Sequence, residues 1–216
     1  MKYPNLILTE IGSMIKPEPP PIIMTKTFGD YIEHLPDCHE YLRIQFSPSS
    51  IPLKQRWRNN GLSADFMADY LTTFFPQVVQ IIEGANLEEE FRHAVSYVAN
   101  ELLENAMKFS DRSISYPVDI ILQLYDDKIL FMVNNSVESS CVEKFQGFIE
   151  ELLTEDPQEL YIQHLENTAD DLDSPNSGLG ILTMINDYEA KVGWKFETMR
   201  SEPLLISVTT MVQLIF

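Results

Sequence analysis

The chain has little cysteine, little basic charge and no long apolar run, and each shortage removes a class of function. Its two cysteines, Cys38 and Cys141, are too few and too far apart for a metal-ligand set or a disulfide framework, which fits a reducing compartment. Lys and Arg number 15 against 33 Asp and Glu, a net charge of −18. Such a surface repels nucleic-acid phosphates and anionic membranes, so neither is an expected partner. Solubility is the simplest use of the charge. No apolar stretch approaches the ~18 residues a membrane helix needs. The opening MKYPNLILTEIG, broken by Pro4 and Glu10, is too short for a signal peptide. The expected location is the cytoplasm.

What remains is an ordinary globular composition, 44% hydrophobic and 22% charged over 216 residues, enough for one domain with an N-terminal extension. Residues 1–26 read as an arm. Its KPEPPP run (Lys16 to Pro21) favours extended polyproline structure and serves as a linker in preference to a docking segment. Residues 27–216 form the domain. Tyr41 to Phe46 alternates as a strand, with Leu42, Ile44 and Phe46 on one face. The basic stretch LKQRWRNN (Leu53 to Asn60) is either a partner contact or a solvated face. Ser63 can cap a helix carrying Phe66, Met67, Tyr70, Leu71, Phe74 and Phe75, ended or kinked by Pro76.

Asn86 and Glu89 read as the capping-box start of a helix reaching about Phe109. Two strands follow around an Asp126-Asp127 turn. Val142–Leu153 and Gln158–Leu165 are helical in pattern, and Glu166–Ser177 reads as an acidic loop. A glycine-led helix from Gly178 to Tyr188 precedes two last strands, Ala190–Thr198 and Leu204–Ile215.

Chemistry concentrates on the Asn86–Phe109 helix. Ala94, Val98, Glu101, Asn105 and Lys108 recur every three or four residues, so they form one stripe that begins apolar and ends polar. Polar groups on a half-buried stripe cost free energy unless something pairs with them. A metal-bound phosphate would do so. An Asn carbonyl is a hard ligand for Mg²⁺, a Glu can take a proton, and a Lys offsets phosphate charge. Taken alone, a helix with a charged solvent edge and an Asn terminator explains the stripe equally well. Gly178 and Gly180 open a helix whose N-terminal N–H groups could approach a phosphate, although a plain loop-to-helix junction has the same pattern.

The order of these elements resembles the GHKL ATPase superfamily, whose fold is shared by gyrase, Hsp90, histidine kinases and MutL. ELLENAMK (residues 101–108) matches its N box, and GLGI (residues 178–181) its second glycine box; the likeness covers roughly Leu62 to Phe216. The resemblance implies an α+β fold, a two-layer α/β sandwich of the Bergerat type, with a mixed sheet and helices on one face. It implies ATP and Mg as cofactors. Glu101 would be the catalytic base, Asn105 the Mg ligand, Lys108 a phosphate contact, and Gly178 and Gly180 the phosphate cradle. Residues 136–177 would be the lid. Where the family has Asp-x-Gly-x-Gly to bind adenine, this chain has VNNSVESS, leaving Asn134 or Asn135 as the acceptor.

None of His34, His39, His93 or His164 lies in a phospho-acceptor context, and His93 reads as structural or superficial. The likeness is therefore to stand-alone bacterial anti-sigma-factor and SiaB-like serine kinases. That implies a small regulatory protein partner, and either a protein kinase or a non-catalytic nucleotide-site relic that binds its partner. The N-terminal portion could serve a homodimer.

Overall fold

The hairpin anticipated at Asp126-Asp127 forms, with Tyr125 N–H donating to the Lys128 carbonyl at 2.9 Å, and it is part of a six-stranded sheet. The computed structural model describes residues 24–47, 53–74, 87–170 and 178–215. In chain order the elements are β1 (Thr25–Gly29), β2 (Tyr41–Phe46), α1 (Leu53–Phe74), α2 (Leu87–Phe109), β3 (Val118–Leu124), β4 (Lys128–Val137), α3 (Ser139–Thr154), α4 (Pro157–Asp170), α5 (Leu179–Tyr188), β5 (Lys191–Ser201) and β6 (Leu204–Ile215). The strand order is β1-β5-β6-β4-β3-β2.

Every described pairing is antiparallel, which corrects the expectation of a mixed sheet. The connections explain it. A single crossover helix returns the chain parallel to the strand it left, but two described helices, α1 and α2, lie between the neighbours β2 and β3. β4 and β5 do run the same way, and β6 lies between them.

Period-two alternation sorts the strands into two faces. Reading the register across, Phe28, Trp194, Thr210, Val133, Ile120 and Ile44 share one row on the helix-covered face. The core gathers there, where Val95, Val98, Ala99, Leu102 and Leu103 of α2 meet Phe131, Val133 and Val212 of the sheet. The neighbouring row faces the other way and is polar throughout: Thr27, Lys195, Thr209, Asn134, Asp119 and Gln45.

β1 and β2 are consecutive in sequence yet lie at opposite edges of the sheet. Residues 30–40 therefore strap across its outer face. Gln213 Nε2 donates to the Asp30 carbonyl (2.9 Å), Ile32 N–H points at Met211 Sδ (3.4 Å), and Tyr125 Oη donates to the Pro36 carbonyl (3.2 Å). Gly193 lies beneath this strap; a Cβ there would come within 2.1 Å of the Tyr31 nitrogen.

Two boundaries differ from the sequence reading. α1 starts at Leu53, so Ser63 and Gly61 lie inside a helix and Ser63 is not its N-cap. Its buried face is Ala64, Met67, Ala68 and Leu71, while Phe66 is exposed. Small alanines let α1 approach α2, and Ser96 Oγ to Asp65 (2.8 Å) and Arg92 Nε to Asp69 (2.6 Å) clasp the pair from outside. α4 extends to Asp170, so Glu166–Asp170, taken for loop, is helical. Residues 1–23 of the arm, the Asn86 cap and the 171–177 segment lie outside the described residues, and β1 begins within the stretch assigned to the arm.

Candidate functional site

α2 presents successive turns to α5, and the two helices meet as an antiparallel seam. Near the start of α2, His93 Nδ1 lies 3.1 Å from Tyr188 Oη at the end of α5. One turn on, the Tyr97 ring packs on Tyr188 with centroids 5.3 Å apart, and its hydroxyl bonds Thr183. One turn further, Glu101 reaches the first turn of α5: a Cβ added to Gly180 would fall 2.0 Å from Glu101 Oε2 and 2.9 Å from its Cδ. Glycine at 180 thus leaves space for the Glu101 carboxylate as it is placed, and a Cβ there would push it aside.

Along the stripe Val98 is fully buried, while Ala94, Glu101, Asn105 and Lys108 are half-buried. Burial pushes the Glu101 carboxyl above its ordinary value; the neighbouring Glu104 charge adds to the rise, and Lys108 opposes it. Glu104 itself accepts from Asn100 Nδ2 at 2.9 Å. The Lys108 ammonium sits over the Phe109 ring, 5.1 Å from its centroid. The Asn105 side-chain amide has no hydrogen-bond partner among the described residues, so its carbonyl is a free donor for a hard cation.

The two asparagines of β4 point to opposite faces. Asn134 lies in the polar row away from the helices, where its carbonyl accepts from Tyr116 Oη (2.8 Å) and its amide donates to Thr209 Oγ1 (2.8 Å) and the Val208 carbonyl (3.3 Å). It is a structural cross-link in the sheet. Asn135 shares the helix-covered face with Val133 and Val137, is 4% exposed, and donates from Nδ2 to the Ser136 carbonyl at 2.8 Å. The Asp111 N–H donates to that same carbonyl at 3.3 Å and ties the end of α2 to this end of β4. Of the two, Asn135 is therefore on the same side as α2.

Gly178 is buried, and its backbone at φ −97° is one any residue adopts. What demands glycine is again space, because a Cβ would come within 2.9 Å of Phe148 on α3 and 3.0 Å of His164 on α4. Those two rings make an edge contact with centroids 5.9 Å apart. The structure thus brings Glu101 and Gly180 together, keeps Lys108 within electrostatic reach, and sets Asn134 apart. Tyr97, Thr183 and Phe148 were not singled out in the sequence, and His164 was weighed only as a phospho-acceptor. Tyr97 had a signal, since it stands four residues before Glu101 on the same helix face; the others have none short of the fold.

No described helix is long and apolar enough to cross a membrane. No protein-family model matches the chain, and no curated protein matches it. Among solved structures, it is similar to a chain of the SiaB–SiaC complex from Pseudomonas aeruginosa, with a TM-score of 0.51, 12% identity, and coverage of 81% of this chain and 89% of that chain. At that identity the likeness is one of fold: the six-stranded sheet under a single helical layer is an α/β sandwich of the same kind.

Proposed function

We propose that this chain is a Mg-ATP-binding regulator of a bacterial partner-switching pathway, and that it phosphorylates a protein partner on Ser or Thr. The observation that carries the reading is the meeting of a half-buried, proton-avid Glu101 with the glycine-led start of α5, one helical turn from the half-buried Asn105 amide. A carboxylate whose proton affinity is raised by burial is a better acceptor for a hydroxyl proton, and Oε2 is the atom aimed at the glycine turn. Asn105 Oδ1 would hold the metal, Lys108 would offset phosphate charge, and Asn135 would offer its carbonyl to the base. When bound, Mg-ATP supplies the phosphoryl group. The structural neighbour was solved in complex with a second protein, which supports a protein as the partner here. The same reading treats residues 1–26 as an arm ahead of the 27–216 domain and puts the protein in the cytoplasm.

The test is calorimetry of Mg-ATP against the full chain and Asn105→Ala. Binding by the unaltered chain that weakens at least about tenfold in the variant, some 1.4 kcal/mol, supports the reading. Absence of heat with the unaltered chain rejects it. Phosphate transfer to a partner that Glu101→Gln abolishes, with Mg-ATP still bound, then assigns the proton acceptor.

One observation favours a second reading, a non-catalytic regulator that binds its partner without phosphorylating it. The first glycine box is replaced by VNNSVESS, and Asn134 is consumed within the sheet. ADP release on mixing with partner separates the two.

A further inference from the structure

α5 is ten residues long, opens on Gly178 with no side-chain cap, and carries a second glycine at Gly180. A helix so short is marginal by itself and glycine weakens it further, so contacts with its neighbours must fix where it lies. Its contacts along α2 come as rungs. His93, Tyr97 and Glu101 stand four residues apart and share one face of α2; they meet Tyr188, Thr183 and Gly180 in turn. The middle rung is held on two sides. The Tyr97 hydroxyl bonds Thr183, and its ring lies on Tyr188 with planes at 34°. Tyr188 is itself bonded to His93. On the last rung Glu101 lies over a residue that has no side chain to grip it.

We infer that Tyr97 is the positioning residue of Glu101: its bond to Thr183 and its ring contact with Tyr188 set where α5 meets α2, and so hold the Glu101 carboxylate against Gly180. The inference rests on the reading of Glu101 as proton acceptor and deepens it, yet the rungs themselves need no ligand. If the middle rung loosens, α5 moves off and water reaches the carboxylate, whose raised proton affinity comes first from burial, then from Glu104, against the opposing Lys108.

The test is a carbon NMR titration of the glutamate carboxyls in the full chain, with the Glu101 signal identified by its loss in Glu101→Gln. Tyr97→Phe and Thr183→Val are each expected to lower the Glu101 midpoint by about half a pH unit or more. The double variant should lower it no further, because both changes break one bond. Tyr116→Phe, which removes a hydroxyl bond on the opposite face of the sheet, should leave the midpoint in place. An unmoved midpoint in both single variants, a double variant that sums them, or an equal shift in Tyr116→Phe overturns the inference. Mg-ATP calorimetry on the same proteins separates the two readings. A lowered midpoint with no Mg-ATP heat in any of them keeps Tyr97 as the positioning residue and rejects the nucleotide. An unmoved midpoint with Mg-ATP bound by the unaltered chain overturns the role of Tyr97 alone.

Discussion

The Glu101 carboxylate and Gly180 lie so close across the α2–α5 seam that a methyl group on the glycine would overlap Oε2. Two residues 79 positions apart in sequence therefore constrain each other, and the contact makes several measurable outcomes follow from one geometry.

Glycine substitutions are expected to rank by what blocks the new Cβ. Gly193→Ala meets the immovable backbone of Tyr31 and Asp30 and should cost about 3 kcal/mol. Gly180→Ala meets the tip of a side chain that can swing, so its cost should be about 1 kcal/mol, with Glu101 displaced. Gly147→Ala meets nothing within 4 Å on a helix and should stabilise by about 0.5–1 kcal/mol. Urea unfolding of the three variants checks the order.

Glu101 should make stability fall as pH rises. Its folded-state proton affinity is raised above the ordinary 4.5 by burial, so the folded chain binds the proton more tightly than the unfolded chain. The contribution is full below the ordinary carboxylate value and is lost as pH climbs through the raised one. Glu101→Gln, which keeps the shape without the charge, should be more stable than the unaltered chain at neutral pH, and the gap should close on acidification. Melting curves across pH 4 to 8 read this, and a gap that widened toward acid would reverse the assignment.

Asn134 is expected to matter for stability and Asn135 for ligand. Asn134→Ala removes three hydrogen bonds, among them the one from Tyr116 Oη, a loss of about 1–3 kcal/mol. Tyr116→Phe combined with it should be non-additive by at least about 0.5 kcal/mol, because both changes break one bond. Asn135→Ala should instead weaken Mg-ATP. Equal effects of the two asparagine variants on ligand binding would erase the distinction.

The elements were legible where pattern and packing agree. The stripe on α2 and the β6 span Leu204–Ile215 follow from periodicity alone. β1 was not foreseen, because TKTFG is short, mostly exposed and held by a partner strand far along the chain. α1 was started ten residues late because Ser63 read as its cap. The Ala64–Met67–Ala68–Leu71 face, packed on α2, outweighs the local cost of one glycine.

Within the site, the Glu101 stripe was visible as spacing, but its contact with Gly180 depends on how two distant helices dock. The choice between Asn134 and Asn135 was hidden for another reason. β4 is apolar on both faces, with Leu130 buried beneath the strap and Phe131 in the core, so alternation could not say which asparagine faces the helices.

The edge strand β1 has a consequence for the order of assembly. Thr27 finds its partner only at Lys195, and β5 is itself held in the sheet by β6. A chain emerging from the ribosome therefore carries β1 unpaired through the synthesis of nearly every other described element. The Asp30–Ile32 end of the strap finds its partners only when the β5–β6 hairpin arrives, so closure of this sheet is a late, long-range event, of the kind that slows folding relative to local contacts.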